Sequence, residues 1–314
     1  MAMRWHVLGA GSLGALFAAR LTRGGVSTTI VLKDETWDAI GRLPTSALSV
    51  REQCNNNHSW SARVNVQPVS YAGPVRRLLV TTKAPDVCAA VDGVADRLTD
   101  DAVVVVLCNG MGAYDELISR PKLSGVSFLL AATSLGAFTT KRMNCVHAGL
   151  GETWVGMPAG SAVSPEDART TVASLQKTGL SVTLENSIER ILWSKLAVNA
   201  SLNGLTAIMG CRNGAVLHSD HGLSLIRKLC TEVGLVMEAS NIPVPTDLLP
   251  MVLRVVRHNA NNFSSMYQDV SSGRATEADY INGFVVNRGA LLGVPTPANG
   301  IIYDLIKMKE EIRT

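Results

Sequence analysis

One apolar stretch of the 314-residue chain, residues 188–209 (IERILWSKLAVNASLNGLTAIM), carries a lysine and two carboxamides, Lys195, Asn199 and Asn203, at spacing i, i+4 and i+8. At about 100° per residue, all three fall on one face of a helix over two turns. Leu192, Leu196 and Leu202 would bury the rest of that helix, so the stripe must meet polar company or a ligand. A solvated polar face is the plainer alternative. A lysine so placed can polarise a ketone and supply its proton as a hydride arrives, provided burial or a nearby charge draws its pKa towards the working pH. Lys195 is therefore the candidate general acid. Glu277, in RATEADYING (274–283), opens a later helical segment whose dipole would help keep it ionised. Thr276 with Asp279 resembles a capping box there, which an ordinary helix start would also explain. Ser264 and Ser265 follow a polar run, 259–262, and a hydroxyl at this point could receive a substrate carboxylate.

Hydride chemistry needs a carrier, and Gly9-Ala10-Gly11-Ser12-Leu13-Gly14 has the form of a site for one. The run follows a short apolar strand and opens a helix. Its first glycine permits a tight turn, its second lets backbone approach a pyrophosphate, and its third lets helix pack close to strand. Ser12 and Leu13 begin the helix whose N–H groups would receive the phosphate. A turn without a ligand is the plainer reading, and placement at the first strand argues against it. In NAD sites an acidic residue ends the second strand and holds the ribose 2′-hydroxyl. Here the strand runs into Lys33 and only then Asp34. A cation at that tip suits a 2′-phosphate, so NADP (NADPH) is the expected cofactor, with NAD left open through Asp34. Lys83 in TTKA (81–84) and Asn109 in CNGMG (108–112) follow two further strands, where ligands bind in such folds. Both should face the cofactor.

The elements that must position these groups change character near the middle of the chain. Residues 1–185 alternate β-rich runs (5–8, 28–32, 78–82, 102–107, 127–132 and 181–184) with helical patterns (13–23, 85–98 and 164–179). That alternation predicts βαβ units in an α/β, Rossmann-type dinucleotide-binding domain with a largely parallel sheet. Residues 186–314 carry helical apolar spacing at about 188–209, 221–240, 246–260, 278–292 and 298–312, with prolines between segments. An all-helical substrate and catalytic domain is predicted there.

Composition narrows the function class. With 46% hydrophobic and 18% charged residues, the chain is built to bury large cores. A net charge of +3, scattered basic residues and 5% aromatics argue against nucleic-acid binding. The apolar runs are too short for a membrane span or a secretory signal, so a cytoplasmic protein is expected. The six cysteines (54, 88, 108, 145, 211 and 230) lack zinc-type spacing and read as reduced thiols, with no metal implied. Apolar faces on five helices would suit a homodimer.

Taken in order, GAGSLG, TTKAP, CNGMG, LWSKLAVNASLN, NFSSMYQD and TEADYINGF resemble the ketopantoate reductase (2-dehydropantoate 2-reductase) family over nearly the whole chain. The resemblance implies NADPH-dependent reduction of 2-dehydropantoate to pantoate, a step towards pantothenate and coenzyme A. It implies Lys195 as the catalytic acid, Glu277 on the substrate hydroxyl and near the cofactor, and Asn199, Asn203 and Ser265 as substrate-positioning groups. Asn109 would lie between nicotinamide and substrate, in a cleft between the domains. There are two departures. The family's usual arginine after the second strand is Lys33 here, which softens the expected NADP preference. A polar run expected after the sixth strand is replaced by SLGAF (134–138), which puts Ala137 at the cofactor wall. Two other readings remain: a reductase of another small branched 2-oxo acid, and a dinucleotide sensor without chemistry. Retention of both Lys195 and Glu277 weighs against a sensor.

Overall fold

The computed structural model describes residues 3–312, which form two compact units: one from the start of the described chain to Cys108 with Tyr114–Ile188, the other Asn109–Ala113 with the described chain from Glu189 onward. The first is built on one 11-stranded sheet in the order β11-β10-β7-β6-β5-β1-β2-β4-β3-β9-β8. Strands β1 (Arg4–Leu8), β2 (Ser27–Leu32), β4 (His58–Pro68), β5 (Val75–Val80), β6 (Leu98–Leu107) and β7 (Ser127–Thr133) make its parallel centre. The apolar runs of β1, β2, β5, β6 and β7 are buried on both faces, as a helix-covered parallel sheet requires, whereas β4 is largely exposed over its first half. Helix α1 (Ser12–Arg23) packs Leu16, Phe17 and Leu21 into this core. Helices α2 (Asp34–Ala39) and α3 (Ala84–Asp92) follow β2 and β5. Strand order reverses about β1, between β2 and β5, which creates the switch point where such sheets bind ligands.

Five strands, β4 among them, were not legible in the sequence. Strand β3 (Thr45–Glu52) pairs antiparallel with β4, and β8 (Gly136–Lys141), β9 (Asn144–Gly149) and β10 (Glu152–Gly156) occupy a stretch with no predicted element. Strands β3, β4 and β8 are rich in polar and small residues, with alternate positions of β3 buried, and β9 and β10 are short, so none carries the apolar run that announced the other central strands. Long-range pairing makes them strands: β9 lies parallel to β3, and β10 lies antiparallel to β7. Helix α4 (Ala113–Ile118) also went unpredicted, whereas α5 (Pro165–Gln176), capped by Ser164, and β11 (Ser181–Glu185) fall where the sequence placed them. The predicted helix 85–98 is shorter, ending at Asp92 before Gly93 and a single 3-10 turn.

The second unit is helical: α6 (Ile188–Met209), α7 (Asp220–Ala239), α8 (Leu248–His258), α9 (Ser265–Ser271), α10 (Asn282–Leu292) and α11 (Pro297–Glu311). Its core gathers Leu196, Ala200, Val233, Val252, Val285 and Ile306. Helix α9 was missed because about two turns carry too little periodicity to register. The predicted segment 278–292 is not one helix. A 3-10 turn, Ala278–Tyr280, is separated from α10 by Ile281, whose ψ of −92° breaks the ladder. No described helix is long and apolar enough to cross a membrane.

Candidate active site

The glycine loop packs as its sequence demands. Gly9 has φ +99°, a conformation that L side chains rarely adopt. A Cβ on Gly14 would stand 2.1 Å from the Gly9 carbonyl oxygen and 2.5 Å from Thr81 Oγ1, so only glycine lets α1 approach the turn. Gly11 is different, since a Cβ there meets nothing within 4 Å. It serves as N-cap of α1 without any side-chain cap, which leaves the first-turn N–H groups for another acceptor. The Thr81 N–H and hydroxyl both bond the Leu8 carbonyl, joining the ends of β1 and β5. Beside the loop is a cleft of about 470 Å³, bordered by Gly9, Ala10, Leu32, Lys33, Thr82 and Arg142. Backbone donors, an open Cβ position at Gly11 and neighbouring cations fit the phosphates of a dinucleotide.

The other residues expected near a cofactor are placed as follows. Ser12 and Leu13 are the first residues of α1, both half-buried, with Leu13 packed against the core. Lys33 is exposed at the start of α2 and pairs with Asp86 at 3.2 Å, while Asp34 accepts the Ser70 hydroxyl. Lys83 precedes α3, half-buried. Ala137 is half-buried in β8 against the core, and the residue that this hairpin contributes to the cleft is Arg142. Sequence reasoning missed Arg142, because nothing local marks a lone arginine in a turn.

Within the helical unit, three side chains form a hydrogen-bonded row. Lys195 Nζ donates to Asn109 Oδ1 at 3.0 Å, and Asn109 Nδ2 donates to Glu277 Oε2 at 2.9 Å. The amide can serve both partners in one orientation only, oxygen to the ammonium and nitrogen to the carboxylate. Asn109 is seated by its own segment: the Met111 N–H donates to the Tyr280 carbonyl at 2.8 Å. Gly110, at φ +75°, lies so close that a Cβ would be 2.3 Å from the Tyr280 oxygen. Lys195 and Asn199 are half-buried on α6, and Asn203, one turn on, is buried, which excludes the solvated-face reading. Glu277 is only 5% exposed.

Two local expectations need correction. Glu277 does not open a helix whose dipole could hold its charge, since it caps a three-residue 3-10 turn. Its partner is the Asn109 amide. Thr276 and Asp279 form no capping box either. The Thr276 hydroxyl accepts from the Ala278 N–H, and Asp279 turns away to the Tyr303 hydroxyl and Lys307. The segment is instead held by α11, whose Glu310 accepts the Thr276 N–H at 2.7 Å. The serine pair also divides its roles. Ser264 is buried, caps α9 through the Tyr267 N–H and bonds Thr206, whereas Ser265 is exposed. Asn282 was not singled out from sequence; it is buried and donates to the Ala200 carbonyl, fastening α10 to the lysine-bearing helix.

Comparison with known proteins gives the family and the fold. Residues 5–160 match the family model described as "Ketopantoate reductase PanE/ApbA", and residues 187–310 match "Ketopantoate reductase PanE/ApbA C terminal". A 2-dehydropantoate 2-reductase of Yersinia pestis is 33% identical over 309 residues, covering 98% of this chain and 95% of that protein. The crystal structure of a PanE/ApbA family ketopantoate reductase from Ralstonia eutropha JMP134 superposes with a TM-score of 0.84 at 24% identity, covering 99% of both chains. A ternary structure of D-mandelate dehydrogenase with NADH and anilino(oxo)acetate gives a TM-score of 0.86 at 21% identity, again covering 99% of both.

Proposed function

This chain belongs to the ketopantoate reductase family, and on that premise we propose that it is an NADP-dependent oxidoreductase that reduces 2-dehydropantoate to pantoate. The observation that carries the reading is the Lys195–Asn109–Glu277 row in the helical unit. NADPH, when bound, supplies the hydride. Gly9, Gly11 and Gly14 with the N-terminus of α1 would hold its pyrophosphate, and Lys33 its 2′-phosphate. Lys83 and Ala137 would border it.

The chain's own groups then have separate tasks. Lys195 donates one N–H to a neutral carboxamide oxygen, and an ammonium has three. On this reading an ammonium proton is transferred to the substrate ketone oxygen as negative charge develops there. Asn109 fixes the ammonium's direction and orients Glu277. The buried carboxylate would receive the substrate's hydroxyl, which separates this substrate from 2-oxo acids that lack one. Asn199, Asn203 and Ser265 would orient the remaining polar atoms of the substrate.

Exposed Leu291, Ile301 and Met308 on α10 and α11 support a homodimer, which sedimentation at micromolar concentration would test. No disulfide joins the six cysteines, which suits the reducing cytoplasm we assign to the protein.

The deciding experiment follows NADPH oxidation with 2-dehydropantoate and with 2-oxoisovalerate, which has no hydroxyl. Turnover that favours 2-dehydropantoate in kcat/KM and is lost in Lys195→Ala supports the assignment. Preference for 2-oxoisovalerate would transfer the same chemistry to another substrate.

A further inference from the structure

The cleft beside the glycine loop has one border that lies far along the chain from β1, β2 and β5. Arg142 reaches it from the two-residue turn that joins β8 to β9. In that turn Met143 takes the positive φ, +62°, which non-glycine residues rarely adopt, and is buried in the core at 7% exposure. Burial of Met143 holds the turn in this conformation, and Arg142 stays exposed.

The hairpin is fastened beyond the turn as well. The Ser49 N–H donates to the Met143 carbonyl at 3.0 Å, and the Cys145 thiol donates to the Ser12 carbonyl at 3.3 Å, beside the glycine loop itself. Further along β9, His147 Nδ1 lies 2.7 Å from the buried Glu52 carboxylate, which also receives Arg20 at 2.6 Å and Trp60 at 2.9 Å. Burial pushes the Glu52 carboxyl up, but the Trp60 and His147 hydrogen bonds and the Arg20 charge hold it below its ordinary range. The guanidinium is thus carried on a pinned hairpin. Among the described residues it makes no hydrogen bond or ion pair. Lys33, by contrast, shares its charge with Asp86, and Asp34 and Glu35 add negative charge to the same cleft.

We propose that Arg142 is the second cation of the anion site in this cleft and sets its preference for a 2′-phosphorylated dinucleotide. The proposal rests on the NADPH reading above. One ammonium, engaged by Asp86 and accompanied by two carboxylates, is a weak receptor for a dianion. A guanidinium offsets that charge and takes two phosphate oxygens in its planar fork. The hairpin would then supply the fork that lysine cannot offer at position 33.

The test is calorimetric titration of wild type, Arg142→Ala and Arg142→Lys with NADPH, NADH, 2′,5′-ADP and 5′-AMP. Arg142→Ala should weaken NADPH and 2′,5′-ADP roughly tenfold or more and leave NADH and 5′-AMP within about twofold, with Arg142→Lys intermediate. The NADPH loss should shrink as salt rises. Equal weakening of all four ligands, or of none, overturns the role given to Arg142. Wild-type protein that binds NADH as tightly as NADPH would overturn the cofactor reading itself, and that result is read before any variant.

Discussion

The hydrogen bond from Lys195 to the neutral Asn109 amide fixes the direction of the ammonium, and this makes the contact informative about chemistry. If Lys195 is the general acid, Lys195→Ala lowers kcat by about two orders of magnitude or more. NADPH affinity, measured by titration, should be unchanged, and a near-normal kcat would remove the role. Glu277→Ala should both raise KM and lower kcat, because a contact to the substrate hydroxyl that tightens in the transition state enters both constants. Steady-state kinetics with an unchanged KM would take Glu277 out of the substrate site. The spacing of Lys195, Asn199 and Asn203 was readable because helical period alone puts them on one face. The partner of Glu277 was not, since Asn109 lies far off in sequence and reaches it only through the seat that Tyr280 provides.

The glycine loop and α1 allow a finer test, because two of its glycines are required for different reasons. Gly14→Ala drives a methyl into the Gly9 carbonyl and Thr81, so it should cost about 1–3 kcal/mol of stability and weaken the cofactor as well. Gly11→Ala meets no protein atom. It should leave the urea midpoint nearly unchanged while weakening NADPH, because the added methyl occupies the space where backbone must approach pyrophosphate. Equal loss of stability in the two variants would contradict this division. The motif was legible because its requirements are local: strand, turn and helix adjoin in the chain. The hairpin of β8 and β9 was not legible, because its polar residues become a strand pair only when β9 finds β3.

Stability of the molecule as a whole should depend on pH through its first strand. His6 is 4% exposed on β1, and burial, followed by the charges of Arg97 and Arg4, lowers its pKa from 6.5 to about 4. The folded chain keeps the imidazole neutral down to about pH 4, whereas the unfolded chain protonates it near 6.5. Between these values the unfolded state binds more protons, so stability falls as pH falls, by on the order of 3 kcal/mol in total. Urea midpoints at pH 7 and pH 4.5 should therefore differ more in wild type than in His6→Gln. Identical shifts in both proteins would exclude His6 as the source. The composition had already argued for large cores, and each unit has its own. That a polar imidazole sits inside one of them is a product of packing, which composition cannot report.

What could be read directly from the chain was whatever depends on neighbours in sequence: the glycine turn, the helix at 164–179, the apolar runs of β1, β2, β5, β6 and β7, and the lysine stripe on α6. These follow from dihedral preference and periodicity, which act over a few residues. Folding settled the rest: the break at Ile281 that denies Glu277 a helix, the seating of Asn109 beside Lys195, and the hairpin that brings Arg142 to the dinucleotide cleft. Each joins residues whose separation along the chain erases any local signal, so the energy that selects them exists only after the strands and helices have packed.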